Sequence, residues 1–266
     1  MEKTDYARFQ AAATKAARQA GDFLLSGLAQ AKKVDFKGEV DLVTTFDRQS
    51  EEMIFRELSA QFPAYNFLAE ENIRQDNHSD FSWIVDPLDG TTNFAHGLPI
   101  FCVSIALAFK GEVVVGVVYD PTRAELFSAI KGGGAALNGR QLRVSLTEEL
   151  DKSLLATGFP YDVRTNPDNN LNYFSHFALR AQAIRRCGSA ALDLCYTACG
   201  RFDGFWEIKL KPWDLAAGSL LVKEAGGLTT DLEGREFDLA SPDIVASNGL
   251  IHQAMLEVIR LSRMTG

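Results

Sequence analysis

The stretch Trp83 to Phe94, WIVDPLDGTTNF, ends an apolar run on two aspartates three residues apart and continues into a glycine and two threonines. A short apolar run bounded by turn residues reads as a buried strand. Pro87 has no N–H, so the chain is expected to turn there rather than continue a ladder, bringing Asp86 and Asp89 to one point. Two carboxylates held close repel, and one is driven neutral unless a cation lies between them. Oxygen ligands without His or Cys nearby favour a hard ion, Mg²⁺ first, with Mn²⁺ or Ca²⁺ as substitutes. An Asx turn with a helix cap would use the same residues without an ion, and the stretch alone leaves both readings open. An EF-hand loop fails on counting: from Asp86 the glycine falls fifth rather than sixth, and the twelfth residue is Gly97 rather than Glu.

Gly90 to Thr92 supplies the complement to this charge. Glycine lets backbone approach a ligand, and the N–H groups of a starting helical turn attract an anion such as phosphate. Carboxylates that gather divalent cations beside an anion nest suit phosphate-ester hydrolysis, with one ion activating water and another stabilising the leaving oxygen.

Outward from this stretch, strands are expected at Phe67–Ala69, Ser82–Val85, Phe101–Phe109, Glu112–Tyr119 and Glu125–Ala129. Lys110-Gly111 joins two of them as a hairpin turn, which predicts an antiparallel sheet. Upstream, Tyr6, Phe9, Ala13, Ala16, Ala17, Ala20, Phe23 and Leu24 recur at helical spacing, and a second helix runs from about Asp47 to Gln61 with Met53, Ile54 and Leu58 inward. KGGGAALNGR reads as a glycine-rich turn region. Beyond it come a strand at Leu154–Thr157, a helix over NYFSHFALRA, a helix from Ser189, as its cap, to Cys199, and a strand at Arg201–Ile208. A helix at Trp213–Ala225 closed by Gly226-Gly227, a strand at Asp243–Ser247 and a final helix from Gly249 complete the pattern. Strands alternating with helices predict a layered α/β second half behind an α+β first half. No repeat or flexible linker separates them, so residues 1–266 read as one compact domain. Its N-terminal half, 1–138, carries Glu70, Asp86 and Asp89, and its C-terminal half, 139–266, carries Glu207 and Asp214.

The totals narrow the function. At 266 residues, 46% of them hydrophobic and 23% charged, the chain is an ordinary globular protein. A net charge of −8 argues against nucleic acid or an anionic membrane as the main ligand. The first residues lack a secretory pattern, FCVSIALAF and VVVGVVY are too short to span a bilayer, and a cytoplasmic location is expected. Cys102, Cys187, Cys195 and Cys199 form no CxxC pair and read as reduced thiols. There is no G-x-S-x-G elbow, Walker loop or Rossmann glycine spacing, and the four histidines read as surface or packing residues. Two further acidic places stand out, Glu70-Glu71 in LAEEN and Asp214 in KPWDLAAG. Taken singly, the first reads equally as a solvated loop and the second as a helix cap.

Read together, DPLDGTTNFAHGLP (86–99) and PWDLAAGSLLVKEAGG (212–227) resemble the two signature motifs of the inositol monophosphatase family. AEEN (69–72), CGSAALDLCYTACGRFDGFWE (187–207) and FDLASPDIVASN (237–248) follow in the family's order, and the likeness covers essentially the whole chain. The resemblance implies a layered αβαβα sandwich, a homodimer, and Mg²⁺-dependent, Li⁺-inhibited hydrolysis of a small phosphorylated polyol or sugar, with myo-inositol 1-phosphate the default substrate. By position, Glu70, Asp86 and the Leu88 carbonyl would hold one Mg²⁺ and Asp86, Asp89 and Asp214 a second, with Glu70 reaching a third through water. Thr91, helped by Glu70 and Asp47, would position the attacking water while the Gly90 and Thr91 N–H groups grip the phosphate. Asp89, Gly188, Ser189, Ala190 and Glu207 would meet the substrate's hydroxyls. Related scaffolds act on fructose 1,6-bisphosphate, histidinol phosphate or 3′-phosphoadenosine 5′-phosphate, and Arg185-Arg186 could serve a second phosphate. A non-catalytic interaction protein on the same scaffold is the alternative of another class.

Overall fold

The computed structural model describes residues 3–28 and 45–265. Helix α1 (Lys3–Gly27) and helix α2 (Thr45–Gln61) lie against one face of an eight-stranded sheet. Its strands are β1 (Asn66–Ala69), β2 (Arg74–Gln75), β3 (Phe81–Asp89), β4 (Cys102–Phe109), β5 (Glu112–Asp120), β6 (Glu125–Ile130), β7 (Gly134–Leu137) and β8 (Arg140–Gln141), in the order β2-β1-β3-β4-β5-β6-β7-β8. Among the described residues of this sheet, only the β1–β3 pair is parallel. The expected hairpin at Lys110-Gly111 forms, with φ of 51° and 83°, the twist that a tight two-residue turn requires.

The structure departs from the sequence expectation at two places. The glycine-rich segment after β6 is not only turn: Gly134–Leu137 and Arg140–Gln141 extend the sheet, with Gly132 and Gly139 at positive φ in the turns. β3 does not end at Pro87 either. Asp86 pairs with Ser104 and Asp89 with Cys102, three steps against two, so Pro87-Leu88 sits in a bulge where no ladder donor is needed.

A short helix α3 (Thr91–Ala95) follows β3. In the second half, β9 (Leu154–Thr157), β10 (Ala183–Arg185), β11 (Gly204–Glu207), β12 (Leu228–Thr230) and β13 (Ile244–Ser247) form a sheet in the order β10-β9-β11-β13-β12. Helices α5 (Ala190–Ala198) and α6 (Pro212–Glu224) fill the space between the sheets, and α4 (Leu171–Ala178) and α7 (His252–Thr265) cover the far face. The layering is αβαβα, as expected. Strand alternation shows why: Phe205 packs into the middle layer, while Trp206, next in β11, points the other way and stacks on Phe177 of α4 with ring centroids 4.0 Å apart. Truncating such a buried aromatic costs about 3–5 kcal/mol. On the outer face of the large sheet, Ala13, Ala16, Ala17, Ala20 and Leu24 form the buried stripe of α1 that its spacing predicted.

The four cysteines are free thiols, Cys102 and Cys195 fully buried. Among the described residues no helix is long and apolar enough to cross a membrane.

Candidate active site

The bulge at the end of β3 builds one wall of a cavity of about 360 Å³. Asp86, 1% exposed, accepts the Leu88 N–H at 2.9 Å and so closes an Asx turn over the proline. The Ser50 hydroxyl of α2 donates to the Pro87 carbonyl at 2.8 Å, and the Thr91 hydroxyl donates to the Leu88 carbonyl at 3.0 Å. Gly90 has φ 98°, and a Cβ there would lie 2.9 Å from the Ile100 carbonyl, so only glycine fits. The first N–H groups of α3 have no carbonyl one turn earlier to pair with.

Three other elements meet this wall. At the end of β1, Glu70 enters a loop held by Glu51, whose buried carboxylate accepts the N–H groups of Glu71 and Ile73 at 2.9 Å and of Asn72 at 3.0 Å. At the start of α5, Ser189 caps the helix and also donates to Asp89 Oδ2 at 2.7 Å, beside the Ala191 N–H at 2.7 Å. Asn93 ties the two loops together, donating to the Ile100 and Cys187 carbonyls at 2.8 Å each. Asp214, third in α6 behind Pro212, accepts the Lys211 N–H at 2.7 Å. The bland turn and cap roles are therefore real, but each uses only part of its carboxylate.

The charges do not balance internally. Burial first, then the Asp214 charge, pushes Glu70 up to about 8, although its hydrogen bond with Asp86 opposes this. Burial and the charges of Glu70 and Asp89 hold Asp86 well above the ordinary carboxylate range. Asp89 is raised by burial, against the bonds from Ser189 and Ala191, and Asp214 is pushed to about 7 by burial and by Asp89. Among the described residues no three His, Cys, Asp or Glu side chains are already grouped to hold an ion. The donor set nevertheless fits a hard divalent cation: carboxylate oxygens and the Leu88 carbonyl, without sulfur or imidazole, in a cavity where the charge of Lys211 only partly offsets the gathered acids.

The opposite wall is made by β11 and the loop after β9. Glu207, 8% exposed, stands where a Cβ on Gly158 would come within 2.1–2.4 Å of its carboxyl atoms, so Gly158 is what gives that side chain room. A buried network fixes this corner: Asn170 donates to Thr157 Oγ1 at 2.6 Å and to the Gly158 carbonyl, and accepts from Trp206 Nε1 at 2.7 Å. Burial and Asp193 raise Glu207, while Arg186 opposes the shift.

Of the residues named from sequence, Glu70, Asp86, Leu88, Asp89, Gly90, Thr91, Gly188, Ser189, Ala190, Glu207 and Asp214 line this one cavity. Asp47 does not line it; it is buried on α2. Arg186 lines the cavity, whereas Arg185 is exposed and donates to the Ile184 carbonyl at 3.1 Å. Missed from the sequence were Asn93, Ser50, Glu51, Gly158 and Asp193. The spacing of Asp47, Ser50 and Glu51, all buried on one face of α2, was a readable signal, whereas Met53, expected inward, is only half-buried.

Comparison with known proteins identifies the family. The profile of the inositol monophosphatase family matches residues 5–263. Inositol monophosphatase 1 of Solanum lycopersicum is 43% identical over 264 residues, 96% of this chain and 95% of that protein. The Escherichia coli K12 protein named Nus factor SuhB is 43% identical over 251 residues, covering 93% and 94%. The solved structure of inositol monophosphatase from Anabaena superposes with a TM-score of 0.88 at 43% identity, over 97% of each chain.

Proposed function

The chain belongs to the inositol monophosphatase family of phosphomonoesterases, which act on small phosphorylated substrates and are in general metal-dependent, and on that premise we propose that it hydrolyses myo-inositol 1-phosphate with Mg²⁺. The observation that supports this reading is the meeting of Glu70, Asp86, Asp89 and Asp214, from three separate stretches of chain, beside the Gly90-Thr91 turn. Glu70, Asp86 and the Leu88 carbonyl would hold one ion, Asp86, Asp89 and Asp214 a second, and Glu70 a third through water, with Mn²⁺ as substitute. Bound there, the ions supply Lewis-acid stabilisation of the phosphate oxygens and the leaving oxygen. Thr91 gives its hydroxyl proton to the Leu88 carbonyl, which leaves Oγ1 as an acceptor to orient the attacking water. Glu70 is the nearby base in this scheme, and Asp47 supports that side from α2. The Gly90 and Thr91 N–H groups hold the phosphate against the cavity wall. Asp89, Gly188, Ser189, Ala190 and Glu207 meet the hydroxyls of the leaving alcohol. Water gives a proton to Glu70 as it attacks phosphorus, the ester P–O bond breaks, and the leaving oxygen takes an equivalent proton from solvent.

The whole chain works as one unit in this reading, residues 1–138 and 139–266 each giving part of the site, and it pairs as a cytoplasmic homodimer. Neither nucleic acid nor membrane is its main ligand, given a net charge of −8. The E. coli relative's name, Nus factor SuhB, supports a second reading, an interaction role beside catalysis. A phosphate-release screen over inositol 1-phosphate, fructose 1,6-bisphosphate, histidinol phosphate and 3′-phosphoadenosine 5′-phosphate, with and without Li⁺, tests the choice. Inositol 1-phosphate should be preferred and Li⁺ inhibitory. Activity on none of the four would leave the interaction reading in its place.

A further inference from the structure

The far wall holds a group that the roles above leave unused. Asp193, in the first turn of α5, is 1% exposed and lines the cavity. Its Oδ1 has no hydrogen-bond partner among the described residues. A buried acceptor without a donor is rare and destabilising, so a donor arriving in the cavity would satisfy what the fold does not. The Cys187 thiol touches the Asp193 carboxyl, but a thiol is a weak donor. Glu207 is the other buried acid on this wall, and Arg186 contributes one opposing positive charge to the two of them. A guanidinium near a lone phosphate subsite would be free to bind it; here its charge is already offset by two acids.

We propose that Asp193 is a specificity-determining residue that, with Glu207, accepts hydrogen bonds from the hydroxyls of a polyol monophosphate remote from its phosphate, and that this acidic pair turns away a second phosphate. The inference rests on the phosphatase reading of the same cavity. Hydroxyls bring the donors that the open carboxyl oxygen of Asp193 needs, whereas a second phosphate brings negative charge and oxygens that offer it no donor.

The test compares kcat/KM of the full-length protein and its variants on inositol 1-phosphate, fructose 1,6-bisphosphate and p-nitrophenyl phosphate, the last having no hydroxyl to recognise. Asp193→Ala should lower kcat/KM for inositol 1-phosphate about tenfold through KM, with p-nitrophenyl phosphate changed less than about twofold. Asp193→Asn keeps the shape and an acceptor oxygen but loses the charge. It should retain most inositol 1-phosphate activity and raise the bisphosphate's share severalfold, which keeps the test alive should the alanine variant not fold. Equal losses on all three substrates, or no change on any, would overturn the proposal. A wild-type protein inactive on every ester would instead remove the phosphatase reading, and this inference with it.

Discussion

The cavity has two acidic ends that differ in how their charge is compensated. At the β3 end, four carboxylates stand together; three of them take hydrogen bonds from N–H groups at turns and helix starts, and Glu70 bonds to Asp86. At the β11 end, two buried acids share one guanidinium, and one carboxylate oxygen finds no donor among the described residues. The same residue type thus faces two different deficits. The first end sets four carboxylates against the single charge of Lys211 beside Asp214 and is suited to divalent cations; the second is short of hydrogen-bond donors and is suited to hydroxyls.

Substitutions at the two ends should separate these deficits. Asp86→Asn removes a charge shared by both proposed ion sites, so kcat at saturating Mg²⁺ should fall by at least about 10²-fold with the fold kept. Near-normal turnover would erase the distinction. Added Mg²⁺ should raise the melting temperature of the chelator-treated protein by roughly 5–10 °C at about a hundredfold excess over its dissociation constant. The Asp86→Asn protein should lose most of that rise, whereas an equal rise in Glu207→Gln would place the effect at the β3 end alone.

Glu207→Gln should act on binding, raising KM for inositol 1-phosphate about tenfold while kcat changes less than about threefold. A kcat loss as deep as that of Asp86→Asn would merge the two ends. Gly158→Ala should give a weaker copy of this signature, because its methyl group needs the space the Glu207 carboxyl occupies.

The smallest effect is expected away from both ends. His252, buried between the Thr230 and Ser247 hydroxyls at 2.9 Å each, is lowered by burial from 6.5 to about 4. The unfolded chain then binds the proton more readily than the folded one, so this position's stability is present above about 6.5 and is lost as pH falls towards 4. His252→Gln should flatten the melting-temperature profile over that window by a few degrees and leave neutral-pH turnover unchanged. A profile of unaltered slope would show that His252 does not contribute.

Most of this architecture was legible because periodicity reports burial. The alanine stripe of α1, the Lys110-Gly111 hairpin and the Ser189 cap are local signals, and all three appear where the residues put them. What the local pattern hid was long-range. The strand's resumption after Pro87 depends on pairing of Asp89 with Cys102, and the contact of Glu51 with the loop at 71–73 depends on how α2 lands on the sheet. β10 was missed because three residues on a sheet edge carry too little pattern. The site divides in the same way. Asp86 and Asp89 could be picked out as a local pair, and grouping them with Glu70 and Asp214 took the family motifs. Asp193 had no signal, since its meaning comes from a wall completed by Glu207, fourteen positions on, and by the cavity between them.

The central claim is that the β3 end holds divalent cations shared through Asp86. An anomalous-scattering map of crystals grown with Mn²⁺ and phosphate examines it most directly. Peaks are expected on both sides of Asp86, one within ligating distance of Glu70 and the Leu88 carbonyl and one of Asp89 and Asp214. A well-ordered cavity with no peak there, at Mn²⁺ concentrations that support turnover, would contradict it.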